Sequence, residues 1–112
     1  MEKTKEQRIK KEFNRLKALF KSLPESEQKF IVPLLENASF MKVTLEDLQV
    51  RINEAGCIDD YQNGENQTGK KASAEIQAYN TTFKNYQSVM LKLREHLPME
   101  EKTSKLDMLL AE

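Results

Sequence analysis

The chain has 112 residues and 13.0 kDa, with 38% hydrophobic and 32% charged side chains and a mean hydropathy of −0.71. That describes one small polar domain and speaks against a large single-chain enzyme. Its 18 basic residues balance 18 acidic ones, so no global charge points to nucleic acid or membrane, and any electrostatic reading rests on where the charges lie.

Cys57 is the sole cysteine, which excludes an internal disulfide and a cysteine-rich metal centre and fits a reducing compartment. No run approaches the roughly 20 apolar residues of a membrane helix, and Met1 to Arg8 leads into no apolar signal core. The expectation is a soluble protein of the cytoplasm without membrane contact. Three Gly and three Pro among many Lys, Glu, Gln and Leu favour helix over sheet.

In the first segment Ile9, Phe13, Leu16, Phe20 and Leu23 are spaced alternately four and three apart, the period of one narrow helical seam. Ser22-Leu-Pro-Glu25 reads as a capping box with Pro24 in the first turn of the next helix, so the first helix should end near Lys21. The second seam is Ile31, Leu34, Ala38, Met41, Leu45, Leu48 and Ile52, the a/d repeat of helices packed side by side. Pro33 and Thr44-Leu-Glu-Asp47 both interrupt it, yet the repeat keeps phase through them, which predicts one kinked helix from Pro24 to Ala55. Gly56 is placed to close it.

Residues 57–72 are rich in turn formers and long for a helix connection. Asn63-Gly64 suits a two-residue type I′ turn and hence a small hairpin. Ser73 can cap a third helix whose seam is Ile76, Tyr79, Phe83, Tyr86, Met90, Leu93 and Leu97, with Pro98 just beyond. The expected fold is all-α: three heptad-patterned helices, of which the latter two form a long antiparallel hairpin behind a basic N-terminal helix. The chain divides into that basic helix (1–22), a helical-hairpin oligomerisation unit (23–98, with the loop 57–72) and a tail (99–112). In the tail Leu106, Leu109 and Leu110 are candidate partner-binding residues.

Catalytic and cofactor chemistry finds little support. Gly64-Glu-Asn-Gln-Thr-Gly69-Lys70-Lys71 matches a P-loop except at its last place, where Lys71 stands for the hydroxyl that binds Mg²⁺. His96 lacks the convergent carboxylates or thiols of a zinc site or a nucleophile-base pair and suits a helix C-terminus. Tyr79, Phe83 and Tyr86 occupy seam positions, which favours a core role over base stacking. No enzyme activity, metal or cofactor is expected.

Charge distribution is more informative. Residues 1–22 carry eight basic side chains against three acidic ones, net +5, whereas residues 24–65 carry three against nine, net −6. Lys3, Lys5, Arg8, Lys10, Lys11, Arg15, Lys17 and Lys21 are the candidate DNA-binding residues. On a helical projection Lys3, Lys10, Lys17 and Lys21 flank one side of the seam while Arg8, Lys11 and Arg15 lie across from it, leaving the apolar stripe free to pack. The same basic helix could instead meet the acidic middle segment of a neighbouring subunit.

The landmarks in order are Glu36-Asn-Ala-Ser-Phe-Met41-Lys-Val-Thr-Leu-Glu-Asp-Leu48, Gly56, Tyr61-Gln-Asn-Gly-Glu-Asn-Gln67-Thr-Gly-Lys, Tyr79-Asn80, Lys84-Asn-Tyr86 and Leu97-Pro98. Over residues 12–98 this order resembles a short branch of the phage terminase small-subunit family, from phages and prophages of Gram-positive bacteria. The resemblance implies a non-enzymatic DNA-packaging protein in the bacterial host cytoplasm. It would form a ring-like homo-oligomer, bind viral double-stranded DNA and recruit or regulate the large terminase subunit, which carries the ATPase and nuclease. Many such proteins place a helix-turn-helix domain first, whereas here one basic helix of about 20 residues precedes the hairpin, too short for three helices. DNA contact through Lys3 to Lys17 is thus read from charge and not inherited. The alternative is a helical coiled-coil adaptor of phage origin that needs no DNA.

Overall fold

A computed structural model describes residues 3–55, 58–62, 68–99 and 101. The fold is all-α in its body, with four helices among the described residues: α1 (Lys5–Leu19), α2 (Glu25–Phe30), α3 (Val32–Ala55) and α4 (Ala74–Glu95). A small antiparallel hairpin, β1 (Ile58–Gln62) with β2 (Thr68–Ala72), joins α3 to α4.

Helix α1 begins at a capping box of its own. The Thr4 hydroxyl accepts from the Gln7 amide at 3.1 Å, and the Gln7 side-chain carbonyl accepts from the Thr4 amide at 3.0 Å, which satisfies two otherwise orphaned N–H groups. The helix ends at Leu19, two residues short of Lys21. Ser22 does not cap the next helix; its hydroxyl donates to the Glu101 carboxylate at 3.0 and 3.1 Å. Pro24 occupies the α2 N-cap without a side-chain hydrogen bond. The turn is held instead by Gln28, whose amide donates to the carbonyls of Lys21 and Leu23.

The expected single helix from Pro24 to Ala55 is two helices. Ile31 closes α2 with φ −86° and ψ −2°, and its carbonyl accepts the Leu35 amide at 2.9 Å to start α3. Pro33 is the cause. In an unbroken helix its nitrogen would have to donate to Lys29 and its ring would clash there, whereas in the first turn of α3 no donor is required. Thr44-Leu-Glu-Asp47, by contrast, lies inside an uninterrupted α3. At 24 residues α3 is about 36 Å long.

Helix α3 is the centre of the molecule, packing on α1 and on α4. It is therefore buried on two sides: Leu35, Ser39 and Val43 are buried as well as the seam residues Ala38, Leu45 and Leu48. Both neighbours run antiparallel to it, since the last turns of α1 and of α4 meet its beginning. There Leu16, Leu19, Phe20, Leu23, Ile31, Leu35, Ala38, Leu93 and Leu97 form the main core, flanked by Phe13, Leu34, Tyr86, Val89 and Met90. The seams thus satisfy one another within one chain at this end.

Toward the hairpin they do not. Ile76 and Tyr79 are half-buried, and Phe83 is 41% exposed with its ring stacked on Tyr79 at 6.1 Å. Helix α4 starts properly, with the Ser73 hydroxyl accepting from the Ile76 amide at 3.1 Å. In the hairpin the innermost pair is Gln62 with Thr68, so five residues separate the strands. A two-residue turn at Asn63-Gly64 would pair Gln62 with Glu65, and this register rules it out. Gly56, Cys57 and residues 63–67 lie outside the described residues.

Candidate nucleic-acid interface

The eight cations singled out from the sequence fall into two sets. Arg8 reaches across to α3, donating to Asp47 at 2.6 Å and to Glu46 at 3.1 Å. The hydrogen bond it donates to Asp47 holds its pKa above the ordinary arginine value against the opposing effect of burial, with Glu46 adding to the rise. Arg15 forks onto Glu12, Nε to one oxygen at 2.9 Å and Nη2 to the other at 2.6 Å. The Lys5 ammonium sits 4.9 Å from the centre of the Phe40 ring, a cation–π arrangement. These three cations serve the fold first: two bind α1 to α3 and one braces α1 along its own length.

Lys3, Lys10, Lys11, Lys17 and Lys21 are exposed, and among the described residues none makes an ion pair. Within α1 the residues Gln7, Lys10, Asn14 and Lys17 follow one another at spacings of three and four, a polar stripe turned away from the seam. Lys3 extends it in front and Lys21 beyond. Lys3, Gln7, Lys10, Lys11 and Asn14 together line an open depression of about 430 Å³. One exposed carboxylate, Glu6, stands at its edge, a turn before Lys10. Lys10 and Lys17 are about 10 Å apart along the axis at 1.5 Å per residue. Core packing and the Arg8 clamp both hold α1 against α3, so the lysines project from a braced helix.

The other candidates separate clearly from this face. His96 caps α4 and is partly buried, with Nδ1 3.4 Å from Glu27 and its ring 6.0 Å from Phe30. No group of three or more His, Cys, Asp or Glu placed to hold a metal occurs among the described residues. Gly69, Lys70 and Lys71 lie in strand β2, whereas a P-loop lysine opens a helix whose N-terminal amides face the phosphate. Tyr86 is at the core edge, where burial raises its hydroxyl pKa above the ordinary value, Glu12 adds to the rise and Arg15 opposes it. Leu106, Leu109 and Leu110 lie outside the described residues. No described helix is long and apolar enough to cross a membrane.

Sequence reasoning did not separate braced from free cations, because the partners Phe40, Glu46 and Asp47 are 35 or more residues distant. No protein-family model, curated protein or solved structure matches this chain.

Proposed function

We propose that this protein is a non-enzymatic DNA-binding component of phage DNA packaging that resembles a small terminase subunit. In this reading it binds double-stranded viral DNA and recruits or regulates the large ATPase-nuclease subunit in the bacterial host cytoplasm. The observation that carries DNA binding is the set of exposed lysines along one side of α1, Lys10, Lys11 and Lys17 within the helix with Lys3 before it and Lys21 after it, against the single exposed carboxylate Glu6 at the margin; the reverse side is the core. Such a face concentrates positive charge where a phosphate backbone can lie against it, and release of counterions drives the association. The packaging role rests on the order of landmarks between residues 12 and 98. Self-assembly, ring-like in this reading, is supported by the apolar residues one chain leaves open, Phe83 on α4 among them. In an assembly the lysine faces of several copies would act together.

Native mass measured with and without a DNA duplex tests this directly. The expected result is a defined oligomer that takes up duplex at low salt; a strict monomer that takes up none would count against it. A second reading, an adaptor that binds a helical partner and no DNA, is favoured by Phe30 and Met99, which are 72% and 79% exposed. Reversing the charge of Lys10, Lys11 and Lys17 distinguishes the two: DNA binding is lost in the first, and partner binding persists in the second.

A further inference from the structure

We propose that Asn14 is the base-reading residue of this surface: α1 enters the major groove of duplex DNA, Asn14 meets an adenine edge, and the surrounding lysines meet phosphates. This rests on the DNA-binding reading above and goes beyond it, since charge alone carries no sequence information.

The major groove of B-DNA is about 12 Å wide and admits one α-helix. A helix that enters it needs an outward face free along its length, no carboxylate along the midline of that face, and a hydrogen-bonding side chain near its middle; on α1 Asn14 holds the midline and Glu6 lies at the margin, about 80° round from it. On α1 the seam and Arg8 are turned toward the body. The outward stripe of Gln7, Lys10, Asn14 and Lys17 holds two amides. An adenine edge presents the N6 donor and the N7 acceptor, which one side-chain amide matches with its carbonyl and its NH₂ together. Gln7 is ill suited, because its carbonyl already accepts from the Thr4 amide at 3.0 Å in the capping box. Asn14 is exposed, and among the described residues its side chain has no hydrogen-bond partner. It is the amide with both halves free.

Its neighbours fit the same docking. Lys10 and Lys11 precede it by one turn and Lys17 follows by one, placing point charges around it for the two phosphate strands. Ala18, four residues on and exposed, adds a small apolar surface beside Asn14. A side chain of that kind lets the helix approach closely and suits a thymine methyl.

The test is selection from a pool of randomised duplexes by the full-length protein, followed by affinity measurements on selected and scrambled duplexes. The wild type should enrich a motif with a fixed adenine and prefer it on the order of tenfold over a duplex with that base changed. Asn14→Ala should abolish the preference and change affinity for scrambled duplex less than about twofold. Lys17→Ala should weaken binding to every duplex alike and lower the salt slope by about one. Circular dichroism confirms that each variant is folded. An RNA duplex, whose major groove is too deep and narrow for a helix, should compete poorly. Equal affinity of the wild type for all duplexes, full competition by RNA, or a preference that survives Asn14→Ala would each overturn the assignment of Asn14 while leaving DNA binding intact. Failure of the wild type to retain any duplex at low salt would overturn the DNA-binding reading itself.

Discussion

Arg8 on α1 and Asp47 on α3 meet at 2.6 Å across 39 residues of sequence, with Glu46 beside them at 3.1 Å. This bridge lies on the opposite flank of α1 from the lysine stripe, so one side of a basic helix holds the fold and the other is exposed. About a third of the Arg8 and Asp47 side-chain surface is open to solvent, which limits the energy of the bridge. Arg8→Ala should cost about 1 kcal/mol, as expected of a partly exposed pair with two acceptors. A double-mutant cycle with Asp47→Asn in urea unfolding measures it, and the coupling should shrink in high salt. Because the arginine pKa is raised in the folded state, the bridge's cationic half is fully present below the ordinary arginine value and is lost only above it. Raising the pH from 6 to 9, on the order of the ordinary working range, should leave the coupling unchanged.

Tyr86 titrates on the same principle and within reach of experiment. Its pKa is raised above 10.0 by burial and by Glu12. The folded state therefore holds the phenolic proton longer than the unfolded chain does. The stability this represents is complete below about pH 10 and is lost as pH rises through the folded value. Tyr86→Phe should flatten the alkaline loss of stability, and tyrosinate absorbance of the wild type should show one late-titrating group. An unchanged alkaline limb in the variant would contradict the burial argument.

Buried hydroxyls on α3 give a contrast. The Ser39 hydroxyl donates to the Leu35 carbonyl at 2.7 Å, whereas the buried Thr44 hydroxyl oxygen has no partner among the described residues. Thr44→Val keeps the shape and removes the unsatisfied group, so it should stabilise the protein by about 1 kcal/mol. Ser39→Val, which deletes a made bond in a tight site, should destabilise it. Thermal or urea unfolding of the two variants decides this by sign alone.

The two ends of the α4 seam should respond differently to truncation. Leu93 is fully buried in the main core, and Leu93→Ala should cost about 2–5 kcal/mol. Phe83 is 41% exposed, so Phe83→Ala should cost less than Leu93→Ala in a dilute monomer. If copies associate through this region, the variant should instead lower the sedimentation-average mass at high concentration. A Phe83→Ala variant as unstable as Leu93→Ala would show that the open end is a core in its own right.

Helical seams were legible in the sequence because a period of 3.5 residues is a local property. Leu16, Phe20, Ile31, Ala38, Leu93 and Leu97 are buried as their spacing requires. Helix ends were less legible. Ser22 and Thr4 both open a cap-like pattern, and what distinguishes them is that Glu101, 79 residues on, takes the Ser22 hydroxyl. The second buried side of α3, marked by Leu35 and Val43, was hidden because a single stripe describes a helix with one neighbour. Pro33 broke a helix whose hydrophobic phase continued across the break, since a one-residue junction at Ile31 hardly shifts that phase. On the candidate site, charge identified α1, but only the tertiary partners of Lys5 and Arg8 and the local fork from Arg15 to Glu12 show which cations remain free.

Duplex binding by the exposed lysines of α1 is read out by affinity for a labelled duplex across a salt series. The wild type and a Lys10→Glu, Lys11→Glu, Lys17→Glu variant of unchanged helicity are compared. Expected are tight wild-type binding at low salt, a linear fall of log affinity with log salt, and loss of most affinity in the variant. No wild-type binding at low salt, or a variant that binds as the wild type does, would contradict it.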